Sequence, residues 1–336
     1  MAKRTEPVTI YEVAARAGVS IATVSRVMRG SLPVSGPVRE RVLDAVRELR
    51  YVPSGAASAL AGGGRAALGL VLPHLEGAYY AQLLIGFETE ASSLGLAVEV
   101  LLANPKTDAG AAVRQLAERV VGVAFAARSA AGDELLAELT GPRSVVAVAR
   151  GSVADVSSIN TENRDAMGQL VGHLLATGRT SFAFLGDPEP GSDLRERYAG
   201  FAETLRRGGC PVPEPIRCPL TEAGGVDAAR RLLAGPLPDA VVCGNDLIAL
   251  VLMQALAKAG VTVPDQVAVT GWDDILAARY ITPGLTTVTQ PVEELGRLAA
   301  RRLHEQVHGA AVPETQVLPT AVVHRGSCCT ADSPRT

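Results

Sequence analysis

Aromatic side chains are scarce in this chain of 336 residues, 4% of the total with a single Trp, so its interiors must be filled by Ala, Val and Leu. With 47% hydrophobic and 20% charged residues the composition is ordinary for a globular protein of two or three domains with sizeable cores. Cysteines number five, Cys210, Cys218, Cys243, Cys328 and Cys329, an odd and scattered set without a CxxC pair. That argues against a disulfide framework or zinc ribbon and for reduced thiols. No run approaches the ~18 apolar residues of a membrane span. "MAKRTEPVTIYE" lacks the apolar core of a secretory signal, so a cytoplasmic protein is expected. Catalytic arrangements are missing as well. There is no Ser/His/Asp set in a recognisable context and no paired carboxylate motif, and "GGGR" lacks the Lys-Ser/Thr of a phosphate loop. His304 and His308 stand four apart, a metal-compatible spacing, but Arg301, Arg302 and Glu305 mark a solvated face. Neither an enzyme, nor a cofactor, nor a metal is expected.

The net charge of −3 hides an asymmetry. Residues 1–60 carry nine Lys/Arg against five Asp/Glu, and the remainder carries a net −7. A small basic head on a mildly acidic body suits a polyanion partner. In the head, Thr9 and Glu12 are spaced as a capping box, and Ile10, Val13, Ala14 and Ala17 form one apolar stripe that Gly18 ends. Ser20 can cap a second helix whose Val24 and Val27 point inward. Ser35, Gly36 and Pro37 start a third, with Val38, Val42, Ala45, Val46 and Leu49 facing the first two. Two short helices joined by a glycine turn make a helix-turn-helix, whose second helix enters the DNA major groove. On its outer face Arg26 can pair with guanine, Ser25 and Thr23 can bond phosphates or base edges, and Ile21 and Ala22 can touch thymine methyls. A three-helix interaction module with solvated arginines is the alternative.

"VTIYEVAARAGVSIATVSRVMRG" resembles the DNA-binding headpiece of the LacI/GalR repressor family, whose hallmark runs T-I-x-D-V-A-x-x-A-G-V-S-x-x-T-V-S-R-V. The resemblance implies Ile21, Ala22 and Arg26 as principal base readers. It implies DNA contacts also from Thr9, Tyr11, Ser20, Thr23, Ser25, Arg29, Ser35, Tyr51, Ala57 and Leu60. Arg29 stands where the family usually has asparagine. The following "YVPSGAASALAGGG" is either a linker or a segment too short to be helical alone that folds on DNA. In the family it is a hinge helix that pairs with its dimer mate and wedges a leucine into the minor groove. Leu60 matches that leucine, and such a wedge favours a deformable central base step. Ser54 and Gly55 replace the family's usual asparagine.

From residue 66 onward apolar runs alternate with amphipathic stretches. Strands are expected at 66–72, 97–102, 120–125, 145–149, 182–185, 240–243 and 267–270, with a closing strand at 317–323. Helices are expected at 80–94, 164–176, 194–207, 227–233 and 247–259. The pattern means parallel sheets covered on both faces, with ligands at the carboxyl ends of the strands. "RERYAGF", "CGNDLIALVLMQAL" and "VAVTGWDDILAARYITPGLTTVTQPVEELG" are similar to the same family's effector domain, itself like periplasmic sugar-binding proteins. The implied fold is a small all-α headpiece followed by two doubly wound, Rossmann-like α/β subdomains of periplasmic-binding-protein type I. The implied division is a headpiece at 1–52, a hinge at 53–65, an effector and dimerisation domain at 66–328 and a tail at 329–336. Within that domain, 66–160 with 290–316 forms one subdomain and 161–289 with 317–328 the other. Effector contacts are implied for Tyr79, Tyr80, Arg128, Glu162, Arg197, Asn245, Trp272 and Asp273; a carboxylate, a guanidinium and an amide together suit sugar hydroxyls. Gly77 and Ala78 replace the family's Asn-Pro before the tyrosines. The polar end "HRGSCCTADSPRT" reads as a tail carrying Cys328 and Cys329, and without leucine heptads it points to a homodimer.

The expected function is thus operator-binding repression by a homodimer released by a small molecule, a carbohydrate in the first reading. A purine-type corepressor is the alternative effector, and a solute-binding receptor is the alternative class.

Overall fold

In the computed structural model of the chain, the Thr9 and Glu12 capping box opens helix α1 (Ile10–Ala17), with the Glu12 carboxylate accepting the Thr9 N–H at 2.8 Å. The structure describes residues 9–29, 34–49, 67–103, 108–127, 132–140, 143–151, 153, 155–189, 192–312 and 314–329. Gly18 closes α1 in the left-handed region, φ 64°, where a glycine avoids the Cβ penalty. Ser20 then caps α2 (Ile21–Arg29), its hydroxyl accepting the Thr23 N–H at 3.2 Å. With α3 (Gly36–Leu49) the helices meet around three fully buried valines, Val13, Val24 and Val42, one from each. An Arg16–Glu48 pair at 2.7 Å joins α1 to α3, but both side chains are more than half exposed and so add little stability.

The chain divides by its internal contacts into Met1–Arg65 and Ala66–Thr336. In the second unit, β1 (Ala67–Leu72), β3 (Gly122–Ala126) and β4 (Ser144–Val148) are continuous apolar runs, which need cover on both faces. They form a six-stranded parallel sheet with β2 (Ala97–Leu102), β5 (Ser157–Thr161) and β10 (Thr315–Leu318), in the order β10-β5-β4-β3-β1-β2. Helices α4 (Tyr79–Ser93) and α12 (Val292–Val307) cover one face through Leu83, Phe87, Leu295 and Leu303. Helices α5 (Ala109–Arg119) and α6 (Asp133–Leu139) cover the other through Val113, Leu116 and Leu136.

A second parallel sheet, β6 (Phe182–Leu185), β7 (Ala240–Cys243) and β8 (Ala268–Thr270), lies between two further helix pairs. Helices α7 (Arg164–Ala176) and α8 (Asp193–Arg207) pack on one side, and α9 (Glu222–Leu233) and α10 (Asp246–Lys258) on the other. A short helix α11 (Leu276–Tyr280) follows β8, and β9 (Thr287–Thr289) pairs antiparallel with β11 (Ala321–Val323). No helix among the described residues is long and apolar enough to cross a membrane.

The closing strand expected at 317–323 is two strands. Val317 and Leu318 pair with Asn160 and Thr161 in the six-stranded sheet, whereas 321–323 pair with β9. Pro319 separates them, since it offers no N–H to a ladder and the chain changes sheets there. Residues 317 and 318, as well as Thr161, therefore sit with the first sheet rather than in the second subdomain. Cys328, read as part of a tail region, is fully buried against the second sheet's helices.

Three segments connect the two sheets: after β5, between β9 and α12, and at 319–320. They are tied to one another. The Glu162 N–H donates to the Leu318 carbonyl at 2.8 Å, the Thr161 hydroxyl to Gln290 Oε1 at 2.7 Å, and the Thr320 hydroxyl to the Glu162 carbonyl at 3.1 Å.

Candidate nucleic-acid interface and ligand cleft

Burial of Val24 and Val27 turns Ile21, Ala22 and Arg26 outward on α2, all three exposed, with Thr23 and Ser25 half-buried beside them. Ser20 and Thr23 share a hydroxyl–hydroxyl bond of 2.9 Å at the start of this helix. Thr9 and Tyr11 are exposed at the start of α1, Tyr11 by 68%. Ser35 is exposed too, its carbonyl accepting the first N–H groups of α3. A helix face of this width, carrying an arginine and small residues and framed by hydroxyls, matches what a major groove admits. Tyr51, Ala57, Leu60 and Arg128 lie outside the described residues, as does the side chain of Arg29.

In the second unit a cleft of about 860 Å³ opens where the strands of both sheets end. The loops after β1, β2, β3 and β4 form one wall and those after β6, β7 and β8 the other, the place a doubly wound fold reserves for ligands. Three of its non-glycine lining residues have left-handed backbone, Ala127 (φ 46°), Ala149 (φ 50°) and Asp273 (φ 117°). Such conformations in non-glycine residues persist only where the surroundings hold them. At Asp273 the holding contact is its own N–H on the Val288 carbonyl at 2.9 Å.

Arg197 is the fixed point of the cleft. It is buried, donating Nε to Asn163 Oδ1 and Nη1 to the Gly244 carbonyl, each at 2.7 Å, with Asp193 at 3.7 Å. Its guanidinium lies 4.3 Å from the Trp272 ring centroid, a cation–π contact. Burial raises the Asp193 carboxyl above its ordinary range against the pull of Arg197. Burial likewise pushes Asp273 up to about 8, although Arg197 and a 2.6 Å bond from Gln290 Nε2 favour its charged form. Tyr79 and Tyr80 line the opposite wall, ring edge to ring face at 5.2 Å, and the buried Tyr79 hydroxyl has no partner among the described residues. Asn245 also lines the cleft, while its Oδ1 caps α10 through the Ile248 N–H at 3.0 Å.

Two expected contacts stand elsewhere. Trp272 is fully buried behind Arg197, its indole part of the core cluster that also holds Phe184. Glu162 is not in the cleft wall. Its carboxylate accepts the Asp165 and Ala166 N–H groups at 2.6 and 2.9 Å, so it caps α7 at the first connection between the sheets. Conversely, Asn163 and Gln290 were not among the expected contacts, and the fold brings them to Arg197 and Asp273. Arg150, which follows a strand, is buried in the lining with Asp133 at 2.6 Å.

The chain is similar to known proteins over nearly its whole length. Residues 9–54 match the model for bacterial regulatory proteins of the lacI family, and residues 171–328 match a periplasmic binding protein-like domain. The lactose operon repressor of Escherichia coli is 31% identical over 327 residues, 95% of this chain and 90% of that protein. Catabolite control protein A of Staphylococcus aureus is 28% identical over 329 residues, 95% and 99% of the two chains. Among solved structures, the lac repressor dimer bound to operator and the anti-inducer ONPF superposes with a TM-score of 0.83 at 30% identity, covering 96% of this chain and 99% of that one. The transcriptional regulator CelR in complex with cellobiose gives 0.70 at 30% identity, over 95% and 99%. With an exposed recognition helix, a ligand cleft at the strand ends and full-length similarity to these regulators, the chain belongs to the LacI family of DNA-binding transcriptional regulators.

Proposed function

We propose that this protein is a repressor that binds a palindromic operator as a homodimer in the cytoplasm, and that a carbohydrate entering the cleft releases it. The observation that carries the reading is that Arg197 and Asp273 stand together in the cleft wall formed by the second sheet, each held by partners from another segment. A guanidinium, a carboxylate and an amide can serve neighbouring sugar hydroxyls as donor, acceptor and both, while Tyr79 and Tyr80 offer ring faces to the apolar side of a pyranose. A sugar is bound in the CelR relative. Ile21, Ala22 and Arg26 read bases, and Thr9, Tyr11, Ser20, Thr23, Ser25 and Ser35 hold the phosphate backbone. Apolar side chains left exposed on β2 (Val100, Leu102) and α11 (Leu276, Tyr280) offer surface to a second copy.

The route from ligand to DNA starts at Asp273. Its carboxylate accepts from Gln290, and Gln290 accepts from Thr161, so the cleft carboxylate is bonded in series to two of the three connections between the sheets. A sugar hydroxyl that donates to Asp273 competes with Gln290 and changes the angle at which the connections hold the sheets. A ligand preferring one such angle shifts the population of DNA-competent dimers. The test is calorimetric titration with a panel of mono- and disaccharides and purine bases. A saccharide that binds and weakens operator affinity, with both effects abolished in Asp273→Ala, supports the reading. A purine that tightens operator binding overturns the proposed effector and its sign.

A further inference from the structure

The buried end of the chain gathers soft ligands away from the cleft. Half-buried His173 on α7 brings Nε2 within 3.5 Å of the Cys328 Sγ, and Cys328 lies 3.6 Å from the Sγ of Cys329. All three ligand atoms fall within 4.8 Å of one another. A tetrahedral zinc site, with Zn–S bonds of ~2.3 Å and Zn–N of ~2.0–2.1 Å, has edges of roughly 3.8 Å between sulfurs and 3.5 Å between sulfur and nitrogen. Two of the three edges are therefore already at coordination length. Only the Cys329 sulfur has to close on His173.

We propose that His173, Cys328 and Cys329 form a binding site for a thiophilic divalent metal ion of the Zn(II) class, with its fourth position open to water. The ligand set selects the ion, since two thiolates and an imidazole favour zinc over the oxygen-seeking Mg(II) and Ca(II). Preorganisation of the cysteines comes from the residue before them. Ser327 exchanges backbone and hydroxyl bonds with Val269, Gly284 and Thr286 at 2.6–2.9 Å, which fixes the segment against the second sheet. His324 packs on His173 with ring centroids 4.1 Å apart and restrains its orientation. Without metal the Cys328 thiol is pushed up to about 12 by burial and lies 3.0 Å from the Thr286 hydroxyl. Binding then releases one proton from each thiol to solvent as the dication takes the two thiolates. A bound ion would pin the last segment to α7, the helix that Glu162 caps at the first connection.

The experiment titrates the reduced, full-length protein with Co(II), a spectroscopic stand-in for Zn(II). The expected result is one equivalent of four-coordinate cobalt with thiolate-to-metal charge transfer, displaced by Zn(II). Cys329→Ser and His173→Gln should each lower the affinity at least tenfold, and Cys329→Ser should reduce the charge-transfer intensity, whereas Cys210→Ser should change nothing. Cys329 is only partly buried, so its variant keeps the fold, which circular dichroism verifies. A weak six-coordinate spectrum, or a thiolate band of undiminished intensity in Cys329→Ser, overturns the proposal.

Discussion

Asp273 shows how a cleft stores the cost of its own readiness. It combines a φ of 117° with a carboxyl held near 8, against an ordinary value of 3.8, because burial disfavours the charge. Up to that pH the folded chain keeps a proton that the unfolded chain has lost. The stability this contributes is fully present below 3.8 and is lost as pH rises to about 8. Buried Asp246, held at about 6 while accepting from Thr287 at 2.6 Å, acts the same way in a lower window. Between pH 6 and 8 Asp273 contributes to this loss. Thermal melts of Asp273→Asn should lose stability less steeply than wild type across the whole interval between 3.8 and about 8. An unchanged slope between 6 and 8 would remove Asp273 from the account. The residue type and its place after a strand were legible in the sequence, as they were for Arg197. Glu162 and Trp272 follow strands too, and nothing local distinguishes a carboxylate that caps a helix or an indole that turns inward from one that faces a ligand.

Among the elements, continuous apolar runs such as "ALGLVL" and "AVVC" announced their strands, and β1, β2, β6 and β7 begin and end within a residue of expectation. The strands "SSINT" and "TVT" did not, because they are short and polar and acquire their pairing from distant partners. Helix contact was equally invisible. Gly86 on α4 and Gly296 on α12 allow the two helices to touch backbone to backbone, and a Cβ at Gly86 would stand 1.9 Å from the Glu293 carbonyl oxygen. Gly86→Ala must force these helices apart and should cost about 1–3 kcal/mol or more. Gly172→Ala on α7 meets nothing within 4 Å and should instead stabilise by roughly 0.5–1 kcal/mol. Denaturant melts of the pair should move in opposite directions, and equal midpoints would refute the close crossing.

At the scale of the whole molecule, the headpiece pattern and the alternation of strands and helices announced the architecture before any coordinate. The Pro319 change of sheet and the buried Cys328 emerged only from the fold. The central claim is that the outer face of α2 reads DNA sequence. The direct measurement is selection of bound sites from random duplex DNA at physiological salt, run with the wild type and with Arg26→Ala. The account predicts that wild type enriches a palindrome with a deformable central step. Arg26→Ala should lose preference at one base pair of each half-site, by about 1–3 kcal/mol, while keeping salt-sensitive binding. An identical preference from both proteins would contradict it.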